Sequence, residues 1–398
     1  MSQRLTIPSL ILSNYVVAIP QLVISLLIVE IALSFDIEVG VAGQLGTAQS
    51  IVSAVMALIM GVLSVTYRHK SLLLVGIISA IVAAVGCYLS PSFVLLLVMI
   101  AVTGISIAMV RPMSQALSGY LFAVQERPKV MGYLMAGGAL SYVIGSPIIA
   151  VLTEWRLAFL LFMFPLSLVG FILAFVGIPS TSSNTKSSQQ FLQGFRAVFQ
   201  NKSAIACFIA IVLYIIAYRI IQFYSIPFYR QQFSIDATTM SFIMSGLTLG
   251  FVTSSVIGGR LVNRFGRKPL TVLCTLSTGI LTVVFLNVPI LWLSLFLCLM
   301  SAITSGINSA AYNSLVLEQV PAYRGTMMSL SQFSFNLGTG LSNALGGVLL
   351  LAFDYGTMGS LGITAIIATG IFYIFTIDPT QTADKPNLSR RKGGEPSE

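Results

Sequence analysis

Long apolar runs separated by short polar breaks extend along almost the whole chain of 398 residues. A helix needs about 20 consecutive apolar residues to cross a bilayer. Twelve runs approach or exceed that length, so the pattern predicts an all-α polytopic membrane protein. The predicted spans are 9–33, 43–65, 71–89, 92–117, 129–152, 157–178, 203–229, 238–258, 269–288, 290–316, 326–352 and 357–377.

Composition supports lipid as the main solvent, because 56% of the residues are hydrophobic and only 8% are charged. Soluble domains carry about 25% charged residues. The first apolar run is longer than the apolar part of a signal peptide, and we predict a retained transmembrane helix. The four cysteines lie in apolar runs and His69 is the sole histidine, so no metal site or cofactor is predicted.

The basic residues are distributed unevenly between the predicted loops. With the N-terminus in the cytoplasm, Arg156 and Arg230 fall in outside loops, and Arg111 and Arg219 fall within spans. The other 17 of the 21 Lys and Arg residues are then cytoplasmic. This topology accounts for the net charge of +9 without a nucleic-acid partner. We predict a multi-pass protein of the plasma or inner membrane with both termini in the cytoplasm.

Two similar segments indicate an internal repeat. Gly61 begins GVLSVTYRHK and Gly259 begins GRLVNRFGRK, which places the two glycines 198 residues apart. The repeat predicts two pseudo-symmetric six-helix bundles, residues 1–178 and 203–377. A cytoplasmic linker would occupy 179–202, and the polar tail 378–398 is expected to be disordered. Duplicated halves of this kind place a substrate site near the midplane between them.

The second of these loops resembles the loop signature of the major facilitator superfamily. The matching residues are Gly259, Arg264, Gly266 and Arg267, and Asn263 stands where the family has an aspartate. In the first copy, Val65 replaces the acid and Arg68 replaces a glycine. The resemblance implies this family's twelve-helix fold, transport by alternating access, and a gating role for the second loop.

The fifth predicted span contains Gly145, Ser146 and Pro147. This segment is similar to the glycine-proline signature of the family's exporters and antiporters, with a serine inserted. Ile100 stands where drug–proton antiporters have an arginine. The resemblance therefore implies an atypical exporter of a metabolite or drug, while Arg219 and Arg111 are the basis for predicting an organic anion as the solute. An uptake permease and an anion exchanger are the alternatives.

Polar side chains at helical spacing within spans either line a cavity or join packed helices. Arg219 is the strongest candidate for binding substrate, because the paired N–H donors of its planar guanidinium group suit a carboxylate or a phosphate. Arg111 either lines the cavity or reaches the membrane surface. The full set of substrate-binding candidates is Arg219, Gln222, Tyr218, Asn14, Gln21, Arg111, Asn308, Tyr312, Gln332 and Asn336.

Acids are scarce within the predicted spans, and Glu30 is the candidate for proton coupling. The sequence contains no HExxH, GxSxG or GxxxxGK[ST] motif, which argues against an enzyme and against an ATP-driven pump. A sensor or receptor built on a transporter fold is the alternative from another class. The predicted partners are a small-molecule substrate, a coupling ion such as the proton, and membrane lipid, for a monomeric protein.

Overall fold

In the computed structural model, residues 3–122, 126–152, 154–179 and 188–377 are described. Every regular element in these ranges is a helix, and twelve helices are long and apolar enough to cross a membrane. The predicted all-α fold with twelve spans is therefore confirmed. The predicted tail, and residues 180–187 of the predicted linker, lie outside the described residues.

The spans are named by their order along the chain. They are Leu5–Leu26, Val39–Gly61, His69–Tyr88, Phe93–Leu121, Val130–Leu152, Trp155–Gly177, Lys202–Gln232, Ala237–Phe265, Arg267–Phe285, Leu291–Leu317, Thr326–Ala352 and Tyr355–Phe375. A further helix, Ser188–Gln200, lies in the predicted linker.

The eighth span extends beyond its predicted end at residue 258. The helix continues past 258 to Phe265 and includes Arg260 and Arg264. It ends where Gly266 adopts φ 86°, a left-handed conformation that glycine tolerates without strain. Charged side chains do not stop a helix that has already left the hydrocarbon region, whereas this backbone conformation does.

Proline interrupts two of the spans. The first span breaks between the helices Gln3–Val16 and Ile19–Leu26, because Pro20 has no N–H for the carbonyl of Val16. The fifth span breaks at Ile144. There Pro147 leaves the carbonyl of Val143 without its helical partner. That carbonyl accepts a hydrogen bond from Ser245 Oγ of the eighth span at 3.0 Å.

The two halves repeat one tertiary contact at the same offset. In the first half, Lys70 Nζ donates to the carbonyl of Phe175 at 2.8 Å and lies 5.5 Å from the centre of its ring. In the second half, Lys268 Nζ donates to the carbonyl of Thr376 at 2.7 Å and lies 5.7 Å from the Tyr373 ring. Both the lysines and the aromatic residues are 198 positions apart. Each lysine places its charge at the C-terminal end of a helix, where the helix dipole favours it.

The apolar core is shared between the halves at one end of the molecule only. We call the end near residues 3 and 377 the termini face and the other end the opposite face. Toward the opposite face, one cluster includes Leu26, Trp155, Phe228 and Phe285 from both halves. Toward the termini face, each half has its own cluster, although Leu58 of the second span packs against the second-half cluster.

Close helix crossings hold the opposite face shut. A Cβ atom on Gly40 would lie 2.7 Å from the carbonyl oxygen of Gly347, so the second and eleventh spans touch through their backbones. Tyr224 of the seventh span donates to the carbonyl of Asn343 at 2.8 Å and lies against Gly43. Small residues permit this close approach in membranes, where van der Waals contact is a main source of helix association.

A disulfide between the fifth and eighth spans tests this closure. Ser146 Oγ and Ser245 Oγ are 3.1 Å apart. We expect the double variant Ser146→Cys/Ser245→Cys to cross-link readily on oxidation, since little movement separates this geometry from that of a disulfide. A protease site inserted between residues 180 and 187 would reveal the cross-link as two halves that stay joined until they are reduced.

The matched control pairs Ser146→Cys with Thr253→Cys. Thr253 lies on the same helix about 12 Å further along the axis, at 1.5 Å per residue. The four native cysteines are buried and should give little background. Equal cross-linking of the two pairs would contradict the closed arrangement.

Candidate functional site

A small polar cavity lies where the two halves meet. Its volume is ≈ 20 Å³, which holds about one water molecule. Five spans contribute to it: the first, second and fourth from one half, and the seventh and eleventh from the other. The lining residues are Gln21, Gln49, Ser50, Ser53, Ile107, Arg111, Arg219, Phe335, Asn336 and Thr339.

Arg219 enters this cavity from the seventh span, and its side chain is buried. One terminal nitrogen, Nη1, donates a short hydrogen bond to Gln222 Oε1 one turn along the helix. The guanidinium carbon lies 5.0 Å from the centre of the Phe335 ring, a cation–π contact. The Nε–H group is buried without a partner. An unsatisfied buried donor is costly, and a ligand oxygen would remove that cost.

Arg111 reaches the same cavity from the fourth span of the other half. The two guanidinium groups interact electrostatically and repel each other. Arginine stays protonated in proteins, so neither group can lose its charge to relieve the repulsion. None of the described residues that line the cavity is an acid. The cavity is therefore electropositive and should attract an anion.

Amide and hydroxyl groups complete the lining. Asn336 Nδ2 donates to Ser53 Oγ at 3.1 Å and so bridges the eleventh and second spans. Gln332 Nε2 donates to Asn336 Oδ1 at 3.2 Å. Gln49 Nε2 donates to Thr103 Oγ1 at 2.7 Å within the first half. These neutral groups can accept or donate hydrogen bonds to the uncharged part of a solute.

The structure brings together part of the predicted set. Gln21, Arg111, Arg219 and Asn336 line the cavity. Gln222 and Gln332 lie behind it and bond to two of these lining residues. Sequence reasoning missed Gln49, Ser50 and Ser53, although their spacing along the second span matches the criterion applied to other spans. Thr339 is a further lining residue outside the predicted set.

Four predicted residues make contacts within their own half instead. Asn14 Nδ2 donates to the carbonyl of Leu10 at 2.9 Å. Asn308 Nδ2 is 3.4 Å from Thr275 Oγ1, and the Tyr312 hydroxyl is 3.2 Å from Ser331 Oγ. The Tyr218 ring stacks on those of Tyr214 and Phe251. The tenth-span candidates Asn308 and Tyr312 therefore contact neighbouring helices and do not line the cavity.

The internal repeat places Gln21 and Arg219 at equivalent positions. They are 198 residues apart, the offset of the two lysine contacts, and both line the cavity. The repeat therefore brings a neutral amide and a cation to one site from opposite sides. A bound solute would meet a charged group on one side of this pair and a neutral one on the other.

Glu30 lies away from the cavity, in an ion pair between the halves at the opposite face. Arg230 of the seventh span donates to its two carboxylate oxygens at 2.6 Å and 2.5 Å. Arg230 also donates to the carbonyl of Leu26 at 3.3 Å. Bidentate pairs of this kind are the stronger class of charge-assisted hydrogen bond. Proton coupling through Glu30 stays a prediction, while the geometry favours a structural role.

The predicted gating loop lies at the termini face. Arg267 Nη1 is 3.9 Å from Glu318 Oε1, a contact between the ninth and tenth spans of one half. Arg264 lies over the Phe265 ring, and Asn263 is exposed. Gly266 ends the eighth span, whereas Gly259 has open space beside its Cα atom. Gating by this loop stays a prediction.

Comparison with known proteins identifies the family. The model of the Major Facilitator Superfamily matches residues 10–231 and 207–396, which together cover most of the chain. The chain belongs to the major facilitator superfamily. Members of this superfamily are secondary transporters of small solutes, and this function agrees with a polar cavity between two six-helix halves.

Similar proteins are named as transporters. The MFS-type transporter YceJ of Bacillus subtilis (strain 168) is 25% identical over 88% of this chain and 89% of its own. The probable 4-methylmuconolactone transporter of Cupriavidus pinatubonensis is 23% identical over 94% of this chain and 90% of its own. An inward-facing, unoccupied bacterial homologue of the human lysosomal transporter Spinster has the same fold, with a TM-score of 0.77, 16% identity, and coverage of 94% and 96%.

Loss of the Glu30–Arg230 pair should favour opening at the opposite face. Glu30→Gln leaves Arg230 without its charged partner, and a hydrogen bond to a charged group contributes about 1.5–3 kcal/mol. We expect the fraction of molecules that are open at this face to rise by on the order of tenfold. A single cysteine near the pair, at Ile31, is buried in the shared core and would report opening as faster labelling by a membrane-impermeant thiol reagent.

Glu38→Gln is the matched control, because it removes the same charge from an exposed site at the same face. The double variant Glu30→Arg/Arg230→Glu should restore slow labelling by remaking the pair in reverse. If Glu38→Gln and Glu30→Gln had equal effects, the pair would not hold this face closed.

Proposed function

We propose that this superfamily member carries a small organic anion across the cell membrane, with Arg219 and Arg111 as its binding groups. One observation carries this proposal. Two guanidinium groups, one from each half, line a single cavity in which no described lining residue is an acid. Charges inside a membrane protein are expensive and usually serve function.

The chemistry of the lining suits a carboxylate. The free Nε–H of Arg219 can donate to one carboxylate oxygen, and Arg111 can approach from the other half. Arginine binds planar anions through paired donors, which a lysine cannot reproduce. Gln21, Ser50 and Thr339 would then contact the neutral part of the solute.

The size of the cavity supports alternating access. A space of ≈ 20 Å³ excludes any organic solute, so binding requires the halves to separate. The shared core lies at the opposite face, and separation at the termini face disturbs fewer contacts. Rocking of two halves about a midplane site is the motion expected of duplicated transporters.

We propose export as the direction of transport, because the fifth span contains the segment Gly145, Ser146 and Pro147. Uptake and anion exchange are the alternatives. The relative named as a 4-methylmuconolactone transporter supports a small organic solute. The basic residues support a cytoplasmic termini face and a plasma or inner membrane location. A monomer is sufficient for this function, because both arginines belong to one chain.

Binding to the purified protein tests the anion site. We expect lactate, succinate or citrate to raise the melting temperature, while the neutral amides of lactate and succinate do not. Arg219→Gln should weaken binding by about 10- to 100-fold, since a hydrogen bond to a charged group contributes about 1.5–3 kcal/mol. Arg219→Lys keeps the positive charge but loses the planar guanidinium group with its paired N–H donors. This variant should bind the carboxylates more tightly than Arg219→Gln and less tightly than the unaltered protein.

Arg196→Gln is the control for the loss of one positive charge. Arg196 is exposed on the helix Ser188–Gln200, away from the cavity. Its variant should bind the carboxylates like the unaltered protein. Carboxylate binding that survives in both Arg219→Gln and Arg111→Gln would remove the two arginines from the site.

A further inference from the structure

The cavity charge is not balanced by an acid from elsewhere in the described spans. Glu30 is bound to Arg230 at the opposite face, and Glu318 lies near Arg267 at the termini face. The other acidic residues of the sequence fall outside the predicted spans. The positive charge of Arg219 and Arg111 therefore persists whenever the cavity holds no anion.

This excess charge has a consequence for movement of the empty transporter. To change the side to which the cavity opens, the halves must pass through a state in which both guanidinium groups are enclosed. Two uncompensated like charges are unfavourable in a medium of low dielectric constant. A bound anion neutralises part of this charge and satisfies the free Nε–H of Arg219. The loaded transporter should therefore change state faster than the empty one.

We propose that this protein is an obligatory anion exchanger, in which an anion must be bound for each passage in either direction. This rests on the proposed function, because it takes the two arginines as the anion site. It selects the exchange alternative over net uptake and over net export. One anion leaves the cavity on one side, and a second anion of the same class occupies it for the return.

Proton-driven transport has no suitable carrier group in this cavity. The side chains that line it are amides, hydroxyls, two apolar residues and two arginines. None of these exchanges a proton with water near neutral pH. Tyr142 of the fifth span interacts electrostatically with both guanidinium groups, but a phenol also remains protonated in that range. Exchange of like-charged anions needs no such group.

Exchange of equal charges also moves no net charge across the membrane. A membrane potential acts only on net charge movement, at about 2.3 kcal/mol per charge per 100 mV. The exchange rate should therefore not change when a potassium diffusion potential is imposed. Net movement of an anion would respond to the potential.

The test uses the full-length protein in liposomes loaded with labelled lactate or succinate, whichever stabilises the purified protein. Efflux is measured into a zwitterionic buffer with sorbitol, free of chloride and other small anions, and again with unlabelled anion outside. We expect efflux into the anion-free medium to be slower by at least about tenfold, and imposed pH gradients to have no effect. Equal rates in the two media would overturn the exchange proposal.

Gln21→Glu tests the electrostatic cause. It adds a carboxylate to the cavity lining at nearly the same size, so the empty transporter would carry less excess charge. We expect net efflux to approach the exchange rate in this variant. Gln21→Met changes the same side chain without adding a charge and should keep net efflux slow. If both variants kept net efflux slow, charge compensation would not be the controlling step.

The two proposals fail in different ways. If no carboxylate binds, or if substitution of Arg219 and Arg111 leaves carboxylate binding unchanged, both the proposed function and the exchange proposal are wrong. If binding depends on the arginines but net efflux equals exchange, the anion site stands and only obligatory exchange is wrong.

Discussion

The unfavourable burial of charge in a membrane governs the arrangement of this protein. Two guanidinium groups lie in a nearly closed cavity between the halves, where neither can lose its proton and no described lining residue supplies a counter-charge. Such a state persists only if the surrounding fold is stable enough to enforce it. The broad apolar core at the opposite face and the backbone contacts between the second and eleventh spans provide that stability.

Four other cations described near the membrane differ from this pair, since each has a local partner. Arg230 is bound by Glu30, and Arg156 lies 4.4 Å from the centre of the Trp155 ring. Lys70 and Lys268 donate to carbonyl groups near the ends of helices. This contrast separates structural cations from the two in the cavity. Arg219 has Gln222 and the Phe335 ring for neighbours, and none of the described residues that line its cavity is an acid.

Hydropathy was sufficient to predict the spans, because length and apolar content are properties of each segment alone. The site was harder to predict, because a polar stripe carries no information on what its helix faces. Asn308 and Asn336 look alike in sequence, yet Asn308 contacts the ninth span of its own half and Asn336 reaches Ser53 in the other half. Helix rotation is set by packing against neighbours, which a single sequence does not show. Arg219 was recognisable because a central arginine has few acceptable structural explanations.

The internal repeat shows where the two halves agree and where they differ. The contacts of Lys70 and Lys268 with an aromatic ring keep the offset of the repeat, as expected for parts that support the bundles. At the cavity the same offset relates Gln21 to Arg219, so the position in the repeat is kept and the charge is not. A symmetric pair of arginines would hold a symmetric ligand, or add a third cation to a site that already has Arg111. Under the proposed function, one amide and one arginine would instead give a bound anion a defined orientation between the halves.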